Sequence, residues 1–524
     1  MMAKFNFKIL PPGWLSYSRQ ALQSRAYYDM NPYPWYGFEK WKLEELGPYP
    51  RCLPFSMSII NRSAIWLFGK QISFRFPGND EIEKELKRFW KLNKMDIKLV
   101  PLAKKGGQEG SVSIKFSYNS KDKVPLRLQV LSNVDHVKFF YNPHNKEELI
   151  MARVQYPFQS LDTGNWFWYR EEWTNDLYIE YEPIKIENFR INDKNPYVFL
   201  GAPVFPDIDT TVNWKVKRQS PNRFGLIPII PIQNQSNGTE FGVGDLFGLF
   251  PTIDRINLTY HLMDRSNQLD IDPRTIYIDL EPKDGDNPDF PSHPGTQIDL
   301  QTVESDDGSS RQGKVQLLET SGAIREQLNI YCNELKQQLF DATGAVFPRQ
   351  EHITNKGSLT QSVLIQMYAP MLEVIGEKQK NYGPNGIILL LQSIVLGLSN
   401  LGVSPFNKVK GIEDITDEKL DFSLTWFSQF MQSEDEKLAT FDRLSREIDA
   451  EVTVPKRAIK AIADMEGFDL TDSEISEIEE KVNDRLKRQR EQLSDGQSPG
   501  NKPRTPGSNQ SRVQKRGTAI NDAE

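Results

Sequence analysis

Hydrophobic and polar positions change their period along the chain, and each change marks a different kind of structure. From Phe55 to Phe68 the residues Met57, Ile59, Ile60, Ile65, Trp66 and Leu67 fall at helical spacing, and 80–93 reads as an amphipathic helix. Between 111 and 234 the period drops to that of strands. SVSIKFSY, PLRLQVL, LIMARVQYPF, NWFWYREEW, DLYIEYEPI and GLIPIIPIQN alternate with Asn, Asp, Gly and Pro clusters, predicting a largely antiparallel β region. No repeat of fixed period runs through it, which disfavours a solenoid or a propeller.

After Gly244 the helical period returns. Leu249, Ile253, Ile256, Tyr260 and Met263 recur at alternating spacings of four and three, a narrow apolar stripe on a helix of about 20 to 25 residues. Pro251 belongs in its first turns, and Pro273 disfavours helix for Asp272. A second stripe runs through Ile324, Leu328, Tyr331, Leu335 and Leu339, with Arg325, Asn329, Asn333 and Lys336 on the polar side. Two such helices can pair. Between them 273–319 holds RTIYIDL and KVQLLE around a Gly/Pro/Asp-rich centre with Asp284, Asp286, Asp289, Asp306 and Asp307. This predicts a small insert carried on two helical legs.

On the other side, 343–358 reads as a link. A third helix then opens on Leu359, Val363, Met367, Met371 and Ile375, every fourth residue. Pro370 inside it and Gly383 with Pro384 further on predict a bend and an interruption. The apolar run 387–401 contains Gln392, Ser393 and Asn400 and falls short of the roughly 20 residues that span a bilayer, so it reads as a buried helix. DFSLTWFSQF predicts one strand that must find partners in the earlier β region. Capping boxes at Ser433 with Glu436 and Thr471 with Glu474 start two helices, and VPKRAIKAIADMEGF is a short helix between them with Pro455 near its start. The first 54 residues, aromatic and proline rich as in NPYPWYGFEKW, read as an irregular arm lying against a surface or a neighbouring subunit. From Gln492 the Ser/Gly/Pro/Asn and Lys/Arg-rich tail has no core and reads as disordered.

Composition narrows the chemistry. With 524 residues the chain has room for about three or four structural regions, and 26% charged with 38% hydrophobic residues is ordinary for a folded, water-facing protein. A net charge of -7 argues against coating nucleic acid by global phosphate neutralisation, while leaving open a channel through which DNA slides. Cys52 and Cys332 make no disulfide framework, and the N-terminal stretch lacks a signal-peptide core. Gly69, Lys70 and Gln71 are the nearest fragment to a phosphate loop and lack its hydroxyl ligand and upstream glycine. His136, His144, His261, His293 and His352 are scattered without ligand spacing, and no GxSxG elbow is present. Asp284, Asp286 and Asp289 lack the bidentate Glu of a calcium loop and read as a solvated acidic surface. No cofactor or metal is expected.

The order of these parts resembles the portal proteins of tailed phages, siphophage type, over roughly 54–482. GLIPIIPIQNQ followed by GDLFGLFPTIDRINLTYHLMDRSNQ is similar to the family's strand into its first stem helix. GSLTQSVLIQMYAPMLEVIGEKQKNYG looks like the helix after its tunnel loop, and FSLTWFSQFMQSEDEKLATFDRLSREIDAEVTVPKRAIKAI like its returning strand and crown. The resemblance implies an α+β portal fold: an arm (1–54), an α+β wing (55–243), a first stem helix (244–270), a clip (271–319) and a second stem helix (320–342). It continues with a tunnel loop (343–358), a long bent helix (359–402), a returning wing strand (403–432), crown helices (433–491) and a basic tail (492–524).

The same resemblance implies no catalysis. It implies a ring, usually of twelve subunits, at one capsid vertex of the virion, assembled in the host cytoplasm, through which double-stranded DNA is packaged and ejected. Implied partners are other copies of the chain, the packaging terminase, head-completion adaptor and tail proteins and the major capsid protein, with scaffold as a further candidate and no membrane. The tunnel-loop candidates are Phe347, Pro348, Arg349, Gln350, Glu351, His352 and Ile353, the bulky ones narrowing the bore and Arg349 meeting phosphates. Arg325, Asn329, Asn333 and Lys336 are candidates for a channel face, and the five clip aspartates for partner contact. Two other classes compete: another virion structural or adaptor protein, which should lack the paired helices, and a metal-dependent nucleic-acid-processing enzyme using the same aspartates. The Gly/Pro-rich surroundings of those aspartates give such an enzyme no rigid geometry.

Overall fold

The computed structural model describes residues 10–30, 52–76, 79–185, 214–271, 274–278, 280–282, 300–302, 313–318, 322–345, 365–408, 420–426, 434–449, 455–466 and 472–495. The chain forms two compact units, Met1–Met431 and Gln432–Glu524.

The first unit is α+β and opens with helix α1 (Trp14–Tyr28), which corrects the expectation of an irregular arm through residue 54. Nothing local announces it. Gly13 precedes it at φ 78 and no side chain caps it. Packing makes the helix: Trp14, Tyr17, Ala21 and Tyr27 are buried, Tyr17 stacks on Phe241 at 4.7 Å, and Tyr27 stacks on Phe250 at 4.7 Å.

Helix α2 (Phe55–Phe68) has the predicted bounds, and strand β1 (Ile72–Arg75) follows it. Helix α3 (Asp80–Leu92) starts where Asn79 Oδ1 accepts from the Ile82 amide at 3.2 Å, with Asp80, Glu81 and Glu83 against the positive end of the helix dipole. Helix α4 (Met95–Glu109) has no clear sequence signal, because Pro101, Gly106 and Gly107 all argue locally against it. Those glycines lie where the packing is closest. A Cβ on Gly106 would stand 2.0 Å from Tyr382 Oη, and one on Gly107 would stand 2.7 Å from Asp245 Oδ2.

The predicted β region is present, and its strands among the described residues pair antiparallel. It comprises β2 (Ser111–Tyr118), β3 (Leu126–Ser132), β4 (Val137–Asn142), β5 (Asn145–Gln159), β6 (Trp166–Trp173), β7 (Leu177–Tyr181), β8 (Ile184–Lys185), β9 (Val216–Pro221) and β10 (Ile229–Gln233). One sheet runs β10–β2–β3, the other β4–β5–β6–β7–β9 with β8 beside β6. Ile232 faces Val112, and Val112 faces Ser132, so β2 is the central strand of the smaller sheet.

Helix α5 (Phe250–Ile271) carries Pro251 in its first turn, as expected. Beyond it β11 (Arg274–Ile278) pairs with β14 (Lys314–Leu318), and β12 (Leu280–Pro282) pairs with β13 (Leu300–Thr302). Helix α6 (Gly322–Thr343) returns. After a helical turn at 365–367 comes α7 (Ala369–Tyr382), so Pro370 stands in its first turn rather than inside a longer helix. Gly383 and Pro384 also differ from expectation. They open a π-helical turn, Gly383–Ile388, that passes without a break into α8 (Leu389–Asn400). The wider turn accommodates the missing proline N–H and the ring, which a tight α-turn does not.

Ala369–Asn400 is long and apolar enough to cross a membrane, yet 67% of its most apolar window is buried inside the protein. It is a core helix. Leu390, Ile394 and Leu398 pack in one cluster with Ile82 and Leu86 of α3, Leu99 of α4 and Ile114 and Phe116 of β2. Strand β15 (Ser423–Trp426) pairs with β1, Ile72 opposite Trp426, and not with the 111–234 strands as expected. That partner is a four-residue strand with no clear turn signal ahead of it.

The second unit holds α9 (Glu434–Asp449) and α11 (Asp472–Asp495), which start directly after the predicted caps, and α10 (Pro455–Glu466), which starts at the expected Pro455. Its described core is small: Leu444, Ala458, Ala463 and Ile475. Helix α11 runs to Asp495, so the first residues of the expected disordered tail are helical.

Candidate functional site: the α5–α6 helix pair and its root

The two apolar stripes meet. Ile253 and Ile256 of α5 pack with Cys332, Leu335 and Leu339 of α6 in one buried cluster, joined at its base by Ile59 and Ile60 of α2 and by Tyr27 of α1. The buried line on α6 passes through Cys332 and leaves Tyr331 39% exposed, one residue from the expected stripe. Tyr331 serves the pair from its edge, where Arg255 Nε donates to its hydroxyl at 3.3 Å.

The four expected channel-face residues separate. Asn329 and Asn333, one turn apart, are exposed on α6. Lys336 is half-buried, with its ammonium 4.8 Å from the centre of the Tyr260 ring on α5, and it donates to Asn333 Oδ1 at 3.4 Å. Lys336 therefore ties the two helices together through a cation–π contact. The Arg325 side chain, Asp284, Asp286, Asp289, Asp306 and Asp307 of the insert, and Phe347 to Ile353 of the loop lie outside the described residues.

Helix α6 ends through its own side chains and one glycine. Thr343 Oγ1 donates to Leu339 O at 2.9 Å and accepts from the Ala345 amide at 3.2 Å. Gly344 then turns the chain at φ 62, and a Cβ there would sit 2.8 Å from Pro370 O. Beside this turn is a cavity of about 140 Å³ lined by Leu249, Ala342, Ala345, Ile59, Met371 and Ile375. Helices α2, α6 and α7 and the segment leading into α5 all reach it.

At the root two buried charge clusters hold these elements together. Lys378 of α7 is 2% exposed and reaches Asp245 Oδ1 at 2.5 Å and Ser63 Oγ of α2 at 2.6 Å. Asn234 Nδ2 also donates to Asp245 Oδ1, at 2.7 Å, and Tyr382 Oη donates to Asn234 Oδ1 at 3.3 Å. Asp245 Oδ2 is buried with no hydrogen-bond partner among the described residues. The Asp245 amide donates to Gly107 O at 2.8 Å, so the chain entering α5 is fixed to α4 and, through Lys378, to α7 at once. Burial, reinforced by the Asp245 and Glu109 charges, pushes the Tyr382 hydroxyl well up.

The other cluster fastens α1. Arg25 donates to Glu109 at the end of α4, and to Asp135 Oδ1 and Oδ2 at 2.8 Å each. Ser132 Oγ donates to Glu109 Oε2 at 2.7 Å. Burial alone would lower the Arg25 pKa, but the two carboxylates hold it up. Burial likewise opposes the Asp135 charge, and Arg25 overcomes it and lowers the carboxyl. Nearby, Tyr27 Oη donates to both Asp254 oxygens at 2.8 Å, and burial raises the Asp254 carboxyl on α5 to about 6.

None of these root residues was a sequence candidate. Lys378 had a readable signal: Met371, Ile375, Lys378 and Tyr382 follow the core face of α7 at spacings of four and three, and a lysine on that face needs a buried anion. Glu109 and Asp135 lie 84 and 110 residues from Arg25, and the three share no local pattern. Among the described residues no group of three His, Cys, Asp or Glu could hold a metal ion. The arrangement is one of long helices anchored at one end and carrying a strand-built insert at the other.

No curated protein matches the chain. The sequence model of the family described as phage portal protein, SPP1 Gp6-like, matches residues 52–483.

Proposed function

We propose, given that this chain belongs to the phage portal protein family of the SPP1 Gp6-like type, that its copies close into a ring whose bore passes double-stranded DNA during packaging and ejection. Portal proteins are virion components of the capsid portal vertex and structural rather than enzymatic, and the family implies capsid, DNA and terminase interactions in general. The finer reading assigns the root to rigid support, the α5–α6 pair to the stem, 271–319 to a clip, and 343–358 to a tunnel loop. The crown is 433–491, and a ring of twelve is the expected number.

The observation that carries this reading is the family match across 52–483 together with a pair of helices whose stripes, among the described residues, pack against each other and the root. An assembly whose subunits carry -7 each presents DNA with a repelling wall, so contacts along the bore are weak and exchangeable. Transport needs that. Asn329 and Asn333 supply neutral amides to such a wall, and Phe347, Arg349 and Ile353 a narrower collar. The five clip aspartates supply the face for terminase and adaptors.

Deleting residues 347–353 tests the assignment. Rings should form as in the parent while DNA packaging in a reconstituted prohead reaction falls sharply; undiminished packaging would remove the loop from the mechanism.

A further inference from the structure

The sequence holds two Asn-Gly pairs, Asn237 with Gly238 and Asn385 with Gly386, and the fold treats them in opposite ways. Asn237 and Gly238 are exposed in the loop between β10 and α5, which the bridge between Gln235 and Val243 closes. Gly238 stands at φ 77, with open space where a Cβ would be. Asn237 Oδ1 accepts from the Thr239 amide at 3.1 Å and from Thr239 Oγ1 at 2.6 Å. Among the described residues neither Asn237 Nδ2 nor the Gly238 amide has a hydrogen-bond partner. Asn385 and Gly386 lie instead inside the π-helical turn Gly383–Ile388, where Gly386 is buried and a Cβ on it would stand 3.1 Å from Ile232 Cδ1.

We propose that Asn237 is a site of spontaneous deamidation, a covalent modification that turns a neutral side chain of this loop into a carboxylate. The Gly238 backbone nitrogen attacks Asn237 Cγ and gives its proton to solvent base, while Nδ2 takes a proton from water and leaves as ammonia, closing a five-membered imide. Water, the only co-reactant, then opens the imide at either carbonyl, giving an aspartyl or an isoaspartyl residue. Three features favour the first step. Gly238 has no side chain to shield its nitrogen. The two Thr239 donors point at Oδ1, the atom on which negative charge develops during the attack. Ring closure also needs rotation about the Asn Cα–C bond, which an exposed loop allows at little cost and a turn continuous with a core helix resists. The new charge arises in the same loop as Glu240, whose carboxylate pairs with Lys146 at 3.3 Å in a groove of about 570 Å³ that Ser236, Gly238 and Thr239 also line. Each conversion adds one negative charge to a chain already at -7. The chemistry is independent of ring assembly.

The test incubates the full chain at mildly alkaline pH, folded and in guanidinium, and follows both Asn-Gly peptides by mass spectrometry, with isoaspartate counted by a protein-isoaspartate methyltransferase. In the folded chain the peptide holding Asn237 should become about 1 Da heavier and take the isoaspartyl label. It should do so at least about tenfold faster than the peptide holding Asn385. In guanidinium the two rates should converge, because both pairs then share the same local chemistry. Asn237→Gln should remove the label from its peptide, since the longer side chain must close a six-membered ring. A peptide holding Asn237 that stays unconverted in the folded chain while converting in guanidinium would overturn the proposal. Equal rates at the two sites in the folded chain would do the same, as would a label that survives Asn237→Gln.

Discussion

The root of the stem and its shaft are built differently from residues of the same chain. At the root, Lys378 and Tyr382 of α7, Asn234 and Asp245 of the chain leading into α5, and Ser63 of α2 make a buried polar cluster that joins three segments far apart in sequence; the Asp245 amide ties in α4 at Gly107, and Arg25 fastens α1. Along the shaft, Ile253, Ile256, Cys332, Leu335 and Leu339 form one thin seam, edged by Tyr331 and Lys336, with Leu258, Leu262 and Ile330 exposed. Buried ion pairs add little net stability over well-packed apolar residues, but removing one partner is severe, so such clusters fix arrangement more than they strengthen it. A thin seam does the opposite. It holds two helices together while leaving most of their surface for other contacts. The root thus fixes the base of the α5–α6 pair, and the seam leaves Leu258, Leu262 and Ile330 exposed on it.

Breaking the root should have the largest effect. Lys378→Met leaves the Asp245 carboxylate buried and uncompensated, and urea unfolding should show a loss of about 3–5 kcal/mol. Pairing it with Asp245→Leu should recover most of that loss, and a double variant no better than the single one would contradict the ion-pair account. In the shaft, Leu339→Ala removes a fully buried side chain from the seam and should cost about 2–4 kcal/mol, with little change in the root. Gly344→Ala tests the joint between them. A side chain at φ 62 against Pro370 O should cost about 1–3 kcal/mol in thermal unfolding, and a neutral result would mean the turn is soft.

The smallest expected effect is a pH dependence. Asp254 is raised in the folded protein to about 6 from an ordinary 3.8, chiefly by burial. The neutral acid is the form the fold favours, so its contribution is present below about pH 4 and is lost as pH rises through about 6. Asp254→Asn should remove that part of the pH profile between 4 and 7 while keeping a partner for Tyr27. An unchanged profile would put the titration elsewhere.

The same contrast explains what could be read in the sequence. The shaft is local: the stripes on α5 and α6, the insert's outer strand pair and α2 all follow from spacing within one segment, and their bounds agree to within a few residues. The root is non-local. Helix α1 hid in an aromatic, proline-rich stretch because packing against Phe241 and Phe250 makes it helical, and α4 hid behind Pro101, Gly106 and Gly107. Pro384 marked a break locally, yet a π-helical turn absorbs it. Strand β15 was legible, but its partner β1 lies some 350 residues earlier and outside the β region it was expected to join. Lysine 378, the hub of the root, differs from a surface lysine only by its place on a buried helical face.

The central claim is that this chain assembles into a closed ring around an axial opening, and negative-stain images of the purified full-length protein test it most directly. Closed rings with a central hole and about twelve-fold symmetry in class averages are the result predicted here. A monodisperse monomer at every salt and protein concentration tried, with no closed particles, would contradict the account.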